Sequence, residues 1–297
     1  MTRILCIGEA MAEIRGDGTG FAVGFAGDAF NTAVYCRRCL RGGDVAFQTR
    51  IGNEPLSQGF LRLARAEGLD LSAIRHEADH NLGIYSVQTD EMGERTFAYW
   101  RNQSAARRMF RSTEDFAVLD RAELIYLSGI TLAILSPDAR EALLARLAVL
   151  REAGVRLAFD SNYRPRLWRD AAQAREAITR AWALADIALP SVDDEMALFG
   201  DADEQSVLSR LRQFGVRQGA LKRGAKGPLA IGERVDTPYF PPADQIVDTT
   251  AAGDSFNGAF LAATAEGRDT IGAMTAGHAL ARIVVTLPGA IIPHGAH

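Results

Sequence analysis

Short apolar segments alternate with longer amphipathic segments along most of the chain. The apolar runs predict buried strands at residues 4–8, 124–129, 155–160, 186–190 and 219–224. Leucine and alanine recur at three- and four-residue spacing in residues 137–154 and 171–185, which predicts helices. Strands that alternate with helices favour an α/β fold with a doubly wound, mostly parallel sheet flanked by helices on both faces.

One region breaks this alternation. Residues 82–101 contain two β-rich arms around a turn-like segment at 90–93, with no helical segment between them. Residues 10–25 are rich in glycine and phenylalanine and are predicted to add further strands. We therefore expect a small β-sheet lid, formed by segments about 10–25 and 82–101, within a single domain that spans residues 1–297.

Composition narrows the classes of function. The chain has 297 residues, of which 47% are hydrophobic, and its net charge is -4 without a basic stripe. This balance argues against nucleic acid as a partner. No segment approaches the roughly 20 apolar residues that a membrane span needs, so we expect no membrane association. Three cysteines do not indicate a disulfide framework, and we expect a cytoplasmic protein.

The most informative segment is IVDTTAAGDSFNGAFLAA, residues 246–263. A short strand is predicted to lead into Asp248, and the small residues 251–253 precede a helical pattern. Free N–H groups and the helix dipole favour an anion at such a helix start. The dipole can hold Asp254 ionised, which makes it a candidate base for a hydroxyl that attacks a phosphate. The alternative interpretation is that Asp254 only caps the helix.

The segment DTTAAGD (248–254) resembles the D-T-x-G-A-G-D signature of the ribokinase-like, or PfkB-type, sugar kinases, with Ala251 in place of the first glycine. The resemblance extends along the chain. GFAGDAFNTAVY (24–35) is similar to the family's sugar-binding segment. LPSVDDEMALFG (189–200) is similar to its P-N-x-x-E metal-associated motif, and LKRGAKG (221–227) to its nucleotide-side turn. A Walker A loop is absent, so a P-loop kinase is excluded.

The resemblance implies ATP-dependent phosphoryl transfer with Asp254 as base and an anion hole at residues 251–254, formed by Ala251, Ala252, Gly253 and Asp254. It implies that substrate contacts Gly27, Asp28 and Asn31. It places ATP near Ser191, Lys222, Arg223, Gly224, Gly227 and Gly253. It implies Mg²⁺ held indirectly by Asp194 or Glu195, a choice that the sequence leaves open, and a monovalent cation such as K⁺ at Asp248 and Thr250.

Further segments resemble the members of this family that phosphorylate 2-keto-3-deoxy sugar acids, namely residues 93–106, 126–137, 159–168, 247–256 and 288–293. The planar fork of an arginine can grip the carboxylate of such an acid with two hydrogen bonds. By resemblance, the substrate acid and its hydroxyls are bound by Tyr85, Tyr99, Arg101 and Arg164. The alternative is that both arginines form surface salt bridges and both tyrosines pack within the lid.

Two other functions compete with this interpretation. One is another kinase of the same fold that acts on a neutral sugar, of the fructokinase or ribokinase type. The other is a non-catalytic sensor of sugar acids that has kept the pocket. Because exposed sheet edges are often covered by a partner subunit, we also expect a homo-oligomer formed through the lid.

Overall fold

The computed structural model of the protein describes residues 3–16, 20–89, 95–232 and 236–295. Its strands in chain order are β1 (Arg3–Ile7), β2 (Met11–Gly16), β3 (Phe21–Ala26), β4 (Asp44–Ile51), β5 (Ile74–His76), β6 (Gly83–Thr89), β7 (Arg95–Trp100), β8 (Leu124–Ser128), β9 (Arg156–Asp160), β10 (Ile187–Ala188), β11 (Gly219–Leu221) and β12 (Leu229–Ile231). Its helices are α1 (Asp28–Cys39), α2 (Pro55–Ala66), α3 (Thr113–Ala117), α4 (Gly129–Ile134), α5 (Pro137–Glu152), α6 (Ala171–Leu184), α7 (Val192–Phe199), α8 (Glu204–Gln213), α9 (Ala252–Ala265) and α10 (Thr270–Val284).

The large sheet has eight strands in the order β12-β11-β10-β9-β8-β1-β4-β5. All neighbouring strands are parallel except β11 and β12, which pair antiparallel at one edge. The predicted mostly parallel sheet is thus confirmed. The first strand, β1, lies inside the sheet. The chain next adds β4 and β5 on one side of β1, and it then adds β8 on the other side. Ligands of open α/β sheets bind at such a switch point, beyond the carboxyl ends of the strands.

The alternating direction of the side chains along β1 explains why the core has two layers. Ile4 and Cys6 pack into one hydrophobic cluster, which includes residues of α1, α9 and α10. Leu5 and Ile7 pack into the other, which includes residues of α5 and α6. Because successive side chains of a strand point to opposite faces, a wholly apolar strand needs helices on both sides.

The lid is a separate four-stranded sheet in the order β3-β2-β6-β7. Its β2–β3 and β6–β7 pairs are antiparallel, and β2 pairs parallel with β6. The strands predicted for the lid are therefore present. The turn predicted at residues 90–93 lies outside the described residues.

The short strand predicted ahead of Asp248 is wrong. Described residues 236–250 contain neither strand nor helix. The N–H groups of Val247 and Asp248 both donate to the carbonyl of Val285, which follows α10, and not to a neighbouring strand. This segment therefore passes over the end of α10 before α9 begins.

Candidate active site

Three adjoining cavities open beyond the carboxyl ends of the strands. The central cavity has a volume of about 940 Å³ and is lined by Asp28, Phe97, Tyr99, Ile130, Asp160, Asn162, Arg164, Ser191, Lys222 and residues 246–254. A turn-side cavity of about 320 Å³ shares Ser191, Lys222 and Gly253 with it. A lid-side cavity of about 760 Å³ shares Asp28, Tyr99 and Arg164. The three form one continuous cleft that ends under the lid.

Helix α9 begins in the floor of the central cavity. Ala251 precedes it with a φ of 59°, a left-handed conformation that glycine adopts more easily than alanine. Ala252 donates its N–H to the carbonyl of Thr249 at 3.2 Å, so this part of the expected anion hole is already used. Within the described residues, the N–H groups of Gly253 and Asp254 have no backbone acceptor. These two groups are the ones open to an anion.

Asp254 is the first acidic residue of α9 and is only partly exposed to the central cavity. Its Oδ2 accepts a hydrogen bond of 2.8 Å from Nδ2 of Asn31, whose Oδ1 accepts from the N–H of Gly27. Burial and, after it, the charge of Asp28 raise the pKa of Asp254 to about 7. We expected the helix dipole to hold this carboxyl ionised. Desolvation outweighs that effect, so near neutral pH the group exchanges a proton readily.

A lysine network joins two strand ends in front of α9. Nζ of Lys222 donates to Oδ2 of Asp160 at 2.6 Å and to Oδ1 of Asn257 at 3.0 Å. Asn257 also donates to Oδ2 of Asp160 at 2.7 Å. The ammonium lies 3.4 Å from the place that a Cβ would take at Gly253, so a positive charge sits beside the open N–H groups. Lys222 therefore lies beside the start of α9, and its predicted role in binding ATP stays a prediction.

The sequence interpretation missed Asp160 and Asn257. Both had a signal. Asp160 is the last residue of a predicted strand, where ligand-binding residues of parallel sheets occur. Asn257 follows Asp254 by three residues in a helix, a spacing that places both side chains on one face.

Asp28 lies in the first turn of α1 and lines both the central and the lid-side cavities. Its Oδ2 accepts a hydrogen bond of 2.9 Å from Nδ2 of Asn162 and another from the hydroxyl of Ser128. Asn31 follows on the same helix face, and Gly27 precedes the helix. A Cβ at Gly27 would lie 2.1 Å from the carbonyl oxygen of Glu9, so only glycine fits there. The three predicted residues therefore stand together.

The two predicted arginines occupy different positions. Arg164 lines both the central and the lid-side cavities and donates to Oδ1 of Asp194 at 3.0 Å. Arg101 lines the lid-side cavity and is buried in an ion pair with Glu9, which also accepts from the hydroxyl of Ser104. Only Nη2 of Arg101 has a hydrogen-bond partner within the described residues. Each guanidinium therefore keeps donors for a ligand.

The two predicted tyrosines also differ. Tyr99 is exposed and lines both cavities. Tyr85 is buried beside it, with ring centroids 5.9 Å apart, and its hydroxyl donates to Glu13. Tyr85 is not among the described residues that line the three cavities, and it packs beside Tyr99. Cross-strand pairing of the two residues explains their proximity.

The two adjacent acids of α7 have opposite environments. Oε2 of Glu195 accepts from Nη2 of Arg210 at 2.8 Å, and the side chain is fully buried away from the cleft. It is therefore not placed to support a metal. Asp194 is the acid beside Arg164, and burial raises its pKa. Ser191 precedes the helix and lines both the central and the turn-side cavities.

The glycine turn after β11 forms a wall of the turn-side cavity. Gly224 and Gly227 have φ angles of 56° and 74°, which side chains rarely adopt. Arg223 lines the same cavity, but its guanidinium donates to Glu204 at 2.8 Å and to the carbonyl of Gly227 at 2.9 Å. These contacts hold the turn, and the predicted role of Arg223 in binding ATP stays a prediction.

Comparison with known proteins decides the family. Residues 1–295 match the description "pfkB family carbohydrate kinase". The chain belongs to this family. It is 38% identical over 303 residues to the 2-dehydro-3-deoxygluconokinase of Escherichia coli strain K12, covering 99% of this chain and 98% of that protein. It is also 38% identical to the protein of the same name from Dickeya dadantii, covering 98% and 96%. The chain is thus a kinase.

Solved structures of other pfkB kinases share the fold. The PfkB protein of Polaromonas sp. JS666 superposes with a TM-score of 0.85 at 27% identity, covering 98% of each chain. The aminoimidazole riboside kinase of Salmonella enterica, complexed with aminoimidazole riboside and an ATP analog, has a TM-score of 0.83 at 26% identity, covering 97% and 95%. The ribokinase-like fold is therefore confirmed.

The pfkB signature of this chain also contains the residues predicted for a monovalent cation. Oδ1 of Asp248 accepts from the N–H of Thr250 at 2.7 Å, and Oδ2 accepts from the N–H of Gly289 at 2.7 Å. In the described part of the chain, no three or more His, Cys, Asp or Glu side chains are arranged to hold a metal together. Nor does that part contain a helix long and apolar enough to cross a membrane.

Proposed function

We propose that this kinase transfers the γ-phosphoryl group of ATP to the terminal hydroxyl of 2-keto-3-deoxy-D-gluconate, giving 2-keto-3-deoxy-6-phosphogluconate and ADP. The observation that carries the proposal is one continuous cleft with two chemically distinct parts. Asp254, the open N–H groups and Lys222 lie in the central cavity, and Arg101 lies under the lid. The names of the relatives that are 38% identical over nearly their whole length support the substrate.

Asp254 is the proposed general base. As the substrate oxygen bonds to the γ-phosphorus, its proton moves to the carboxylate of Asp254, and the bond from phosphorus to ADP breaks. A pKa of about 7 suits this task, because ionised base is abundant at neutral pH and still holds a proton well once it has taken one. Asn31 orients the carboxylate through its 2.8 Å hydrogen bond.

The start of α9 and Lys222 are proposed to stabilise the transferring phosphoryl group. Gly253 and Asp254 line the cavity, and within the described residues their N–H groups have no backbone acceptor, so the helix dipole adds to their attraction for negative charge. Asp160 and Asn257 hold the Lys222 ammonium in place beside them. These donors are thus already in position to stabilise the negative charge of the transition state.

The two arginines are proposed to bind the carboxylate of the substrate. Arg164 lies on the wall between the central and lid-side cavities, and Arg101 lies deeper under the lid. Each is already paired with one protein carboxylate, Asp194 or Glu9, and each still has free N–H donors. Tyr99 is proposed to cover the sugar carbons between them.

ATP is proposed to lie along the turn-side cavity, with its base near the Gly224–Gly227 turn and its phosphates towards Gly253. When bound with ATP, Mg²⁺ would neutralise phosphate charge, and Asp194 is the acid that fits it. Mg²⁺ is usually held by one or two carboxylates together with phosphates, and Asp194 lies beside Arg164 on the wall of the cleft, whereas Glu195 is buried against Arg210. We propose K⁺ binding at Asp248 and Thr250.

The substrate proposal is tested by ADP release with 2-keto-3-deoxygluconate, gluconate, fructose and ribose as acceptors. We expect turnover only with the keto-deoxy acid. Arg164→Ala and Arg101→Ala are each expected to raise KM for the acid about tenfold or more, with a smaller change in kcat. Equal or faster turnover of fructose or ribose, unaffected by either substitution, would mean that a neutral sugar is the substrate.

We propose that the outer face of the lid pairs with a second copy of the chain. Strand register places Phe21, Val23, Ile14 and Trp100 on the lid face opposite Tyr99. Phe21 is 80% exposed and Trp100 is 61% exposed, which is costly unless a partner covers them. Analytical ultracentrifugation at micromolar concentration should show a dimer that Trp100→Lys converts to monomer. A monomeric wild-type protein would exclude this assembly.

A further inference from the structure

The wall between the central and lid-side cavities carries a carboxylate at a fixed position. Asp28 lines both cavities, and its Oδ2 is held by two donors, Nδ2 of Asn162 at 2.9 Å and the hydroxyl of Ser128. These donors come from the ends of two neighbouring sheet strands, whereas Asp28 itself is in α1. Two strand ends of the large sheet therefore fix the position of a carboxylate that belongs to α1.

The backbone of Asn162 has a strained conformation. Its φ is 31°, in the left-handed region, which is uncommon for a residue other than glycine. Its N–H donates to Oδ1 of Asp160 at 3.1 Å, and its side chain reaches Asp28. Backbone strain persists only where surrounding contacts impose it, and here they serve to orient the Asp28 carboxylate.

Asp28, on the wall between the central and lid-side cavities, has no described cationic partner. Asp160 is paired with Lys222, whereas no described cationic side chain forms an ion pair with Asp28. Asp28 and Asp254 line the same cavity, and the charge of Asp28 is the second-largest cause of the raised pKa of Asp254, after burial. The two carboxylates therefore repel each other, and a third negative charge placed between them would be repelled by both.

We propose that Asp28 is a specificity-determining residue that makes the hydroxyl-accepting part of the cleft reject a second carboxylate. This inference rests on the proposed function, in which the substrate is a sugar acid with one carboxylate and one terminal hydroxyl. The carboxylate is attracted by Arg101 and Arg164, and Asp28 opposes its entry beside Asp254. Discrimination of this kind needs a repulsive element as well as an attractive one. The substrate is then held with its hydroxyl, and not its acid group, at the base.

A matched pair of ligands separates repulsion from other roles of Asp28. One is 2-keto-3-deoxygluconate, and the other is the dicarboxylate of the same skeleton, with a carboxylate in place of the terminal CH₂OH group. Their Kd values are measured by calorimetry at pH 8, without nucleotide, for the wild type and Asp28→Asn. We expect the wild type to prefer the monocarboxylate, and Asp28→Asn to bind the dicarboxylate about tenfold more tightly than the wild type does.

Glu9→Gln is the control for a change of charge elsewhere in the cleft. Glu9 lines only the lid-side cavity, where both ligands carry the same carboxylate. It should shift both Kd values in the same direction and leave their ratio unchanged. Asn162→Ala, which frees Asp28 without removing its charge, should lower the discrimination by a smaller factor than Asp28→Asn.

The outcomes are distinct. If Asp28 only accepts a hydrogen bond from the substrate, Asp28→Asn should bind the monocarboxylate more weakly and the dicarboxylate no more tightly than the wild type does. That result would overturn the inference while the proposed function stands. If the wild type does not bind the monocarboxylate at all, the proposed substrate itself is wrong. Tighter binding of the dicarboxylate by Asp28→Asn, in absolute terms, supports repulsion by Asp28.

Discussion

Asp254 and Tyr99 line the same cavity, but the regions that carry them are built differently. Asp254 stands at the start of α9, whose following residues from Ser255 to Thr264 are buried, and its hydrogen-bond partner Asn31 is in turn held by the N–H of Gly27. Tyr99 stands on a four-stranded sheet whose outer face exposes Phe21, Val23 and Trp100. Substitutions in the first region should therefore change the reaction and the stability, and substitutions in the second should mainly change substrate binding.

The largest expected effect is on the rate. Asp254→Asn keeps the shape of the side chain and its hydrogen bond with Asn31 but removes the base, so kcat should fall about 10³-fold. Stopped-flow or coupled measurement of ADP release gives kcat, and calorimetry shows whether 2-keto-3-deoxygluconate still binds. A loss of less than about tenfold with binding intact would leave Asp254 as a helix-start residue without a catalytic role.

The next effect concerns stability at the same end of the cleft. Lys222→Met removes the cation from Asp160, which is 3% exposed, and leaves a buried carboxylate unpaired. Loss of one partner of a buried ion pair costs about 3–5 kcal/mol of unfolding free energy. Urea denaturation measures this. The double variant with Asp160→Asn should recover most of the loss, and a loss below about 1 kcal/mol in the single variant would contradict the role of the network.

The sequence predicted this region well because its signal is local. The signature, the small residues and the helical pattern lie within one short segment, so the helix start and Asp254 were found together. Asp160 and Asn257 were missed because their role depends on a contact with Lys222, which follows β11 and is distant from both in sequence. The raised pKa of Asp254 follows from burial by distant segments, which no local pattern contains.

The choice between Asp194 and Glu195 shows the same limit. Consecutive residues of a helix point in directions about 100° apart, so Asp194 contacts Arg164, which lines the cleft, and Glu195 contacts Arg210 of α8. Which is which depends on Arg210, a residue of α8. The lid strands, in contrast, were predicted from alternation and turn signals alone, although alternation did not tell that Tyr85 is buried whereas Tyr99 is exposed.

Asp254 should also make the stability of the protein depend on pH, which no described group of the lid face beside Tyr99 is predicted to do in the same range. The pKa of Asp254 is raised from 3.8 to about 7 on folding, so the folded protein binds more protons than the unfolded chain between these values, and its stability falls as pH rises through this window. Asp254→Asn removes that loss. Its advantage in unfolding free energy should be absent near pH 4, grow to about 1–2 kcal/mol by pH 7 and then stay constant, the figure being discounted for partial exposure. Urea unfolding from pH 4 to 8.5 tests this, and an advantage that is the same at every pH would contradict a raised pKa.

The smallest expected effect lies in the lid. Tyr99 is 48% exposed on its sheet, so Tyr99→Ala should leave the unfolding free energy almost unchanged, while KM for the keto-deoxy acid rises about tenfold because the sugar loses its cover. Steady-state kinetics give KM and kcat, with Ser86→Ala, on the outer face of the neighbouring strand, as the control. Because Asp254 is held by Asn31 and no described hydrogen bond joins it to Tyr99, kcat should stay within about threefold of the wild type. A fall of kcat as large as that of Asp254→Asn would mean that the lid organises the reacting groups, and the two regions would then be one functional unit.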